Sequence, residues 1–146
     1  MKTYVITLSD KFPVSHPRKG EETGFAAKIL RTKLHTIRVN FELWEHRIKE
    51  IQRGNAILSV RRWTGSPYAS KQEVITELDA ANGVGIQRLD IYGDLSLNRI
   101  SIDGNPGDLK ELAKNDGLGY DDFIAWFARY SLTQSLAIIH FTNFRY

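Results

Sequence analysis

The sequence predicts a single α+β domain spanning residues 1–146, built as a curved mixed sheet or small barrel with peripheral helices. Three observations predict it. Six or so segments read as strands, the helical segments between them do not alternate strictly, and no linker, repeat or low-complexity tract divides the 146 residues. A chain of that length buries a sizeable core without staples. Its 42% hydrophobic and 25% charged content is that of an ordinary globular protein.

The elements follow in order. Thr3 to Leu8 is rich in β-formers and predicts a first strand. The opening "MKTYVITLSDKF" is too short and too polar in its apolar run for a signal peptide. Residues 9–22 hold two prolines, a glycine and several charges, and predict a long surface loop of the kind that is mobile or functional. Thr23 suits the cap of a short helix, "GFAAKILR", with Phe25, Ile29 and Leu30 facing inward. Asn40 suits the N-cap of the clearest helix. Phe41, Trp44, Ile48 and Ile51 recur there at spacings of three and four, and Gly54 follows its end. Its outer face mixes His46, Arg47, Lys49 and Arg53 with three glutamates, the pattern of a solvated face.

Beyond it, "AILSVRRW" (56–63) and "EVITEL" (73–78) predict paired strands joined by "TGSPYASKQ". Two more are predicted in "IQRLDIYG" (86–93) and "SLNRISIDG" (96–104), with Gly93-Asp94 near the turn. Ile100 and Ile102 alternate with Ser101 and Asp103 as a half-buried strand does. Asp108 to Lys114 is a short helix, and "GLGYDDFIAWFARY" contains a strongly aromatic one, with Phe123, Trp126, Phe127 and Tyr130 assigned to the core. "LAIIHF" (136–141) closes the chain as a buried strand.

Cysteine is absent, which removes disulfides, thiol catalysis and cysteine-ligated zinc together. No apolar run approaches the ~18 residues of a membrane span, so no membrane partner is expected and a cytoplasmic protein is the default. The histidines at 16, 35, 46 and 140 show no metal-site spacing, Gly83-Val84-Gly85 lacks the rest of a dinucleotide fingerprint, and Ser131 and Ser135 have no triad context. Neither a metal nor a cofactor is expected. Charge is uneven: residues 1–71 carry a net +8 and residues 72–146 a net −5. Such a split often marks a face that meets an anion, nucleic acid above all, although a compact fold also mixes its halves in space.

Two stretches carry candidate chemistry. "SVRRWTGSPYASK" interleaves Arg61, Arg62 and Lys71 with Trp63 and Tyr68, cations for phosphates beside rings on which bases stack. The plain alternative puts Trp63 in the core and leaves the charges solvated. "TKLHTIR" (32–38) gathers Lys33, His35, Thr36 and Arg38. In an ideal strand Lys33 and Thr36 fall on opposite faces. They meet only if Lys33 ends the preceding helix and the chain turns a corner before the strand. As residues at a strand's start, neither Lys33 nor Thr36 is expected in the core.

A short helix followed by "KLHTIR", then basic strands, then "LAKNDGLGYDDFIAWF", resembles the ASCH domains of the PUA-like superfamily of small β-barrels. The likeness runs from about Thr23 to His140, and Lys-x-x-Thr-Ile-Arg and the late acidic "NDG" carry most of it. It implies a PUA-like barrel with a cleft where the Lys-Thr-Arg stretch faces the late helical segment, and RNA or a nucleoside as ligand. Some small bacterial members are amidohydrolases that deacetylate acetylcytidine with a lysine, a threonine three residues on, and a glutamate before the late helix. Here Lys33 and Thr36 match the first two, and the third position falls on Asp116, one methylene shorter.

The residues themselves define the roles such chemistry requires. A threonine hydroxyl is a poor nucleophile until a neighbouring base takes its proton. Lysine serves as that base only when desolvation or a nearby cation lowers its pKa. Asp116 then suits orientation or proton shuttling, and Arg38 an oxyanion or phosphate. Three readings follow: an RNA- or nucleoside-binding domain with a basic cleft, an amidohydrolase using Lys33, Thr36 and Asp116 at the same place, and a non-catalytic interaction scaffold. His35, Arg38, Arg61, Arg62, Trp63, Tyr68 and Lys71 are the expected ligand contacts. Nothing in the sequence fixes an oligomeric state.

Overall fold

The computed structural model describes residues 1–128 and 130–146. Its α+β architecture has eight strands, β1 (Lys2–Thr7), β2 (His35–Arg38), β3 (Ala56–Trp63), β4 (Gln72–Leu78), β5 (Gly85–Ile91), β6 (Ile100–Ile102), β7 (Asn105–Pro106) and β8 (Leu136–His140). Four α-helices accompany them: α1 (Phe25–Lys28), α2 (Phe41–Gln52), α3 (Leu109–Asn115) and α4 (Tyr120–Phe127). The strands form two sheets, of order β1-β3-β4 and β2-β8-β5-β6-β7, and among the described residues no ladder closes them into one barrel.

β1 pairs with β3 in parallel, and β3 pairs with β4 as expected, in an antiparallel ladder with an irregularity between Val60 and Arg61. In the larger sheet, β8 lies between β2 and β5 and is buried along its whole length. A continuous apolar run suits a strand covered on both faces. α2 packs against β3, β5 and β8. Phe41, Trp44, Ile48 and Ile51 form its buried stripe, and the Asn40 side chain accepts from the Leu43 amide at 3.3 Å. Arg53 is the C-cap, and Gly54 follows at φ 80°, where a side chain is disfavoured.

Local outcomes differ from the sequence reading in instructive ways. The strand expected over 96–104 is only three residues long, because a 3-10 turn at Leu95–Leu97, capped by Asp94, takes up the preceding segment. α1 is a single turn ending at Lys28, so Lys33 does not end a helix. Residues 29–33 instead fold back, with Leu30 at φ 66° and the Lys33 amide donating to Lys28 O at 2.9 Å. The loop over 9–22 is anchored rather than loose: Phe12 and His16 are buried in it, the backbones of Lys11 and Glu22 form an antiparallel bridge, and Arg18 pairs with Asp122 of α4.

Candidate functional site

A cleft of about 330 Å³ opens between the two sheets, the 9–22 loop and α4. Its polar floor comes from Lys33, Thr36, Arg38 and Asp116, and aromatic walls come from Trp63, Tyr68, Trp126, Phe127 and Tyr130. Loop residues Ser9, Pro13 and Ser15 complete it.

The local folding that assembles the floor begins at the end of α3. Asp116 is the C-cap of that helix, and Gly117 follows at φ 82° with its Cα packed so close that an added Cβ would lie 3.0 Å from Lys33 Cβ. Only glycine fits both the turn and that approach. Lys33 and Asp116 form an isolated antiparallel bridge, and the Leu34 amide donates to Asn115 O at 2.7 Å. Lys28 Nζ donates to Gly117 O at 3.0 Å and pins the turn to α1. This backbone contact brings the shorter carboxylate within reach: Lys33 Nζ donates to Asp116 Oδ1 at 3.1 Å and to Asp116 O at 2.9 Å.

Lys33 and Thr36 are buried, against the expectation of surface residues; Lys33 is only 1% exposed. Lys33 Nζ also sits 4.1 Å above the Phe25 ring centroid, a favourable place for a cation. Burial lowers the Lys33 pKa from its ordinary value, Asp116 opposes the shift by charge and hydrogen bond, and Arg38 and Lys28 add to it. The Thr36 hydroxyl has no hydrogen-bond partner among the described residues. Arg38 Nη2 donates to Thr7 O at 2.5 Å, joining β2 to β1, while its buried Nε has no partner among the described residues. Desolvation lowers its pKa, with Tyr130 and Asp116 opposing.

Four of the expected contacts lie elsewhere. His35 faces away from the cleft, fully buried behind Asp116, because β2 sends alternate side chains to opposite faces. Arg61 Nε donates to Ser59 Oγ at 2.9 Å and its Nη1 to Gln72 Oε1 at 3.2 Å. Arg62 pairs with Glu73 at 3.3 Å and with Asp10 at 3.9 Å. Both stay on the β3–β4 hairpin, and neither they nor Lys71 line the cleft. Trp63 is half-buried and Tyr68 is 90% exposed, their rings 5.1 Å apart at the cleft's lip.

The aromatic helix also departs from its core assignment. Phe123 and Phe127 are buried, Trp126 is half-buried and Tyr130 is 41% exposed at the rim. Sequence reading overlooked these cleft walls, along with Lys28, Asn115 and Tyr146. Periodicity marks aromatic residues as apolar and does not distinguish a core from the wall of a cleft.

The described residues contain no cluster of histidine and carboxylate groups able to hold a metal ion, and no helix long and apolar enough to cross a membrane. No protein-family model, curated protein or solved structure matches this chain.

Proposed function

We propose that the chain is an ASCH-type, PUA-like domain whose cleft binds a nucleoside-sized ligand. The observation that carries this reading is the convergence of Lys33, Thr36, Arg38 and Asp116 on one floor beneath aromatic walls. Trp63 and Tyr68 offer faces on which a base stacks, worth ~1–3 kcal/mol per base. Asp116 Oδ2 makes no hydrogen bond among the described residues and is suited to accept from an exocyclic amine. Arg38 lines the cleft and supplies a cation for a carbonyl or phosphate oxygen. The arginines expected to hold an RNA backbone are engaged with Gln72, Glu73 and Asp10, which favours a small ligand over a long strand.

One further observation favours amidohydrolysis at the same cleft. Among the described residues Thr36 Oγ1 has no hydrogen-bond partner, and burial lowers the pKa of Lys33, which lines the same cleft, from its ordinary value. Once Lys33 has given up its proton, its lone pair accepts the Thr36 proton as Oγ1 adds to the acyl carbon. Arg38 stabilises the oxyanion, and collapse breaks the C–N bond while the proton passes from Lys33 to the departing amine. Water, deprotonated by Lys33, then attacks the threonine ester, and its proton returns to Oγ1 as acetate leaves.

Titration calorimetry with acetylcytidine, cytidine and a short RNA tests the binding reading. Saturable nucleoside affinity, lost in Lys33→Met, is expected. Affinity for RNA alone, falling steeply with salt, would replace it with phosphate-driven binding. Release of cytidine and acetate, abolished in Thr36→Ala, is the result expected of the enzyme; an inert protein that still binds acetylcytidine would leave binding alone.

A further inference from the structure

Behind the cleft floor runs a line of polar side chains that the reaction above does not use. Asp116 Oδ1 accepts from Lys33 Nζ on one side and lies 3.3 Å from His35 Nδ1 on the other. The second ring nitrogen of His35, Nε2, is 2.6 Å from the Tyr146 hydroxyl. That hydroxyl oxygen lies 3.2 Å from Asn115 Nδ2, one residue before Asp116.

With Asp116 ionised and the His35 ring neutral, one proton arrangement satisfies all of these contacts. The carboxylate only accepts, so His35 Nδ1 must carry a proton. A neutral ring then has a lone pair at Nε2, which takes the Tyr146 proton, and the Tyr146 oxygen accepts from Asn115 Nδ2. The ring is neutral for a physical reason: burial lowers the His35 pKa, with Lys33 adding to the shift and Asp116 opposing it. Around it stand Lys33, Asp116, Tyr146 and the edge-on ring of His140, 5.5 Å away and itself kept neutral by burial.

We propose that His35 and Tyr146 are positioning residues for the cleft: the Tyr146 hydroxyl locks His35 as its Nδ1–H tautomer, and His35 thereby fixes the Asp116 carboxylate. A carboxylate held from one side still turns about its Cβ–Cγ bond. Donors on both sides of Oδ1 hold its plane and leave Oδ2 for the ligand. A buried donor of this kind sets the geometry of the group it orients, as outer partners of ligating side chains do. The role rests on the reading of the cleft as a nucleoside site, whereas the tautomer lock itself does not.

Long-range 1H–15N spectra of protein labelled at histidine distinguish a protonated ring nitrogen from an unprotonated one. For His35 near pH 7 the expected pattern is Nδ1–H with Nε2 bare. Tyr146→Phe removes only a hydroxyl; it should abolish that fixed pattern and weaken acetylcytidine binding roughly tenfold, as loss of an outer-shell partner typically does. His35→Asn keeps an N–H near the Nδ1 position and should retain affinity within about threefold, whereas His35→Leu should lose roughly tenfold or more. An Nε2–H tautomer in the wild-type protein overturns the proposal. So does unchanged affinity in Tyr146→Phe. If the wild type shows the Nδ1–H pattern but binds no acetylcytidine, the lock stands and the nucleoside reading falls.

Discussion

Two sets of cations sit on neighbouring parts of this molecule, and their surroundings give them different work. On the β3–β4 hairpin, Arg61 and Arg62 lie half-exposed and are matched by Gln72, Glu73 and Asp10 across the hairpin and the adjoining loop. On the cleft floor, Lys33 and Arg38 are largely withdrawn from water, one held by Asp116 and the other with a buried Nε that has no partner among the described residues. In sequence the hairpin set looks the more convincing binding motif. In space, desolvation and convergence distinguish the floor, because a charge in water is screened and a buried one is not.

The largest expected difference between the regions is in stability. Asp116→Ala strands the Lys33 ammonium in a buried site and should cost about 3–5 kcal/mol in urea unfolding. Pairing Lys33→Met with Asp116→Leu should recover most of that loss, since no lone buried charge remains. A loss below 1 kcal/mol for Asp116→Ala would mean that the floor behaves like the exposed hairpin.

Acid should expose the next difference. His140 donates from Nε2 to Gln87 Oε1 at 3.0 Å, and burial, with His35 and Arg145 beside it, pushes its pKa down to about 2. Between the unfolded value near 6.5 and that folded value, the unfolded chain binds more protons. The stabilising contribution is therefore present above about pH 6.5 and is lost as pH falls toward 2, by at most ~1.4 kcal/mol per pH unit from this group. His35 shifts in the same direction. Melting temperature followed against pH should fall below about pH 6.5, and His140→Gln should flatten part of that fall.

The hairpin should respond least. Arg62→Ala should change stability by less than about 1 kcal/mol, as exposed ion pairs typically do. The double variant Arg61→Ala, Arg62→Ala should leave acetylcytidine affinity within about twofold, because neither residue lines the cleft. A large loss there would return the binding role to the hairpin.

Much of the fold was legible because its signals are local. Asn40 with the Phe41-Trp44-Ile48-Ile51 stripe specified α2, and the continuous apolar run over 136–140 specified the central β8. The floor was legible in part: Lys33, Thr36, Arg38 and Asp116 do share one cleft. What sequence did not show was how a residue just before β2 reaches it. The answer lies in the backfolded residues 29–33 and their bridge to the Asp116-Gly117 turn, which joins positions 83 residues apart. Strand alternation did separate His35 from Thr36, but only tertiary structure shows that His35 meets Asp116 from behind. Tyr146 carries no local signal at all; its hydroxyl matters through a partner 111 residues away.

Backbone amide shifts during titration with acetylcytidine test the central claim most directly, since they report where a ligand sits whether or not it reacts. Saturable shifts should be largest at Thr36 to Arg38, at Asp116 to Leu118 and around Trp63 and Tyr68, and should vanish in Lys33→Met. No saturable shifts, or shifts confined to β4 and the outer face of α2, would contradict the assignment of function to the cleft floor.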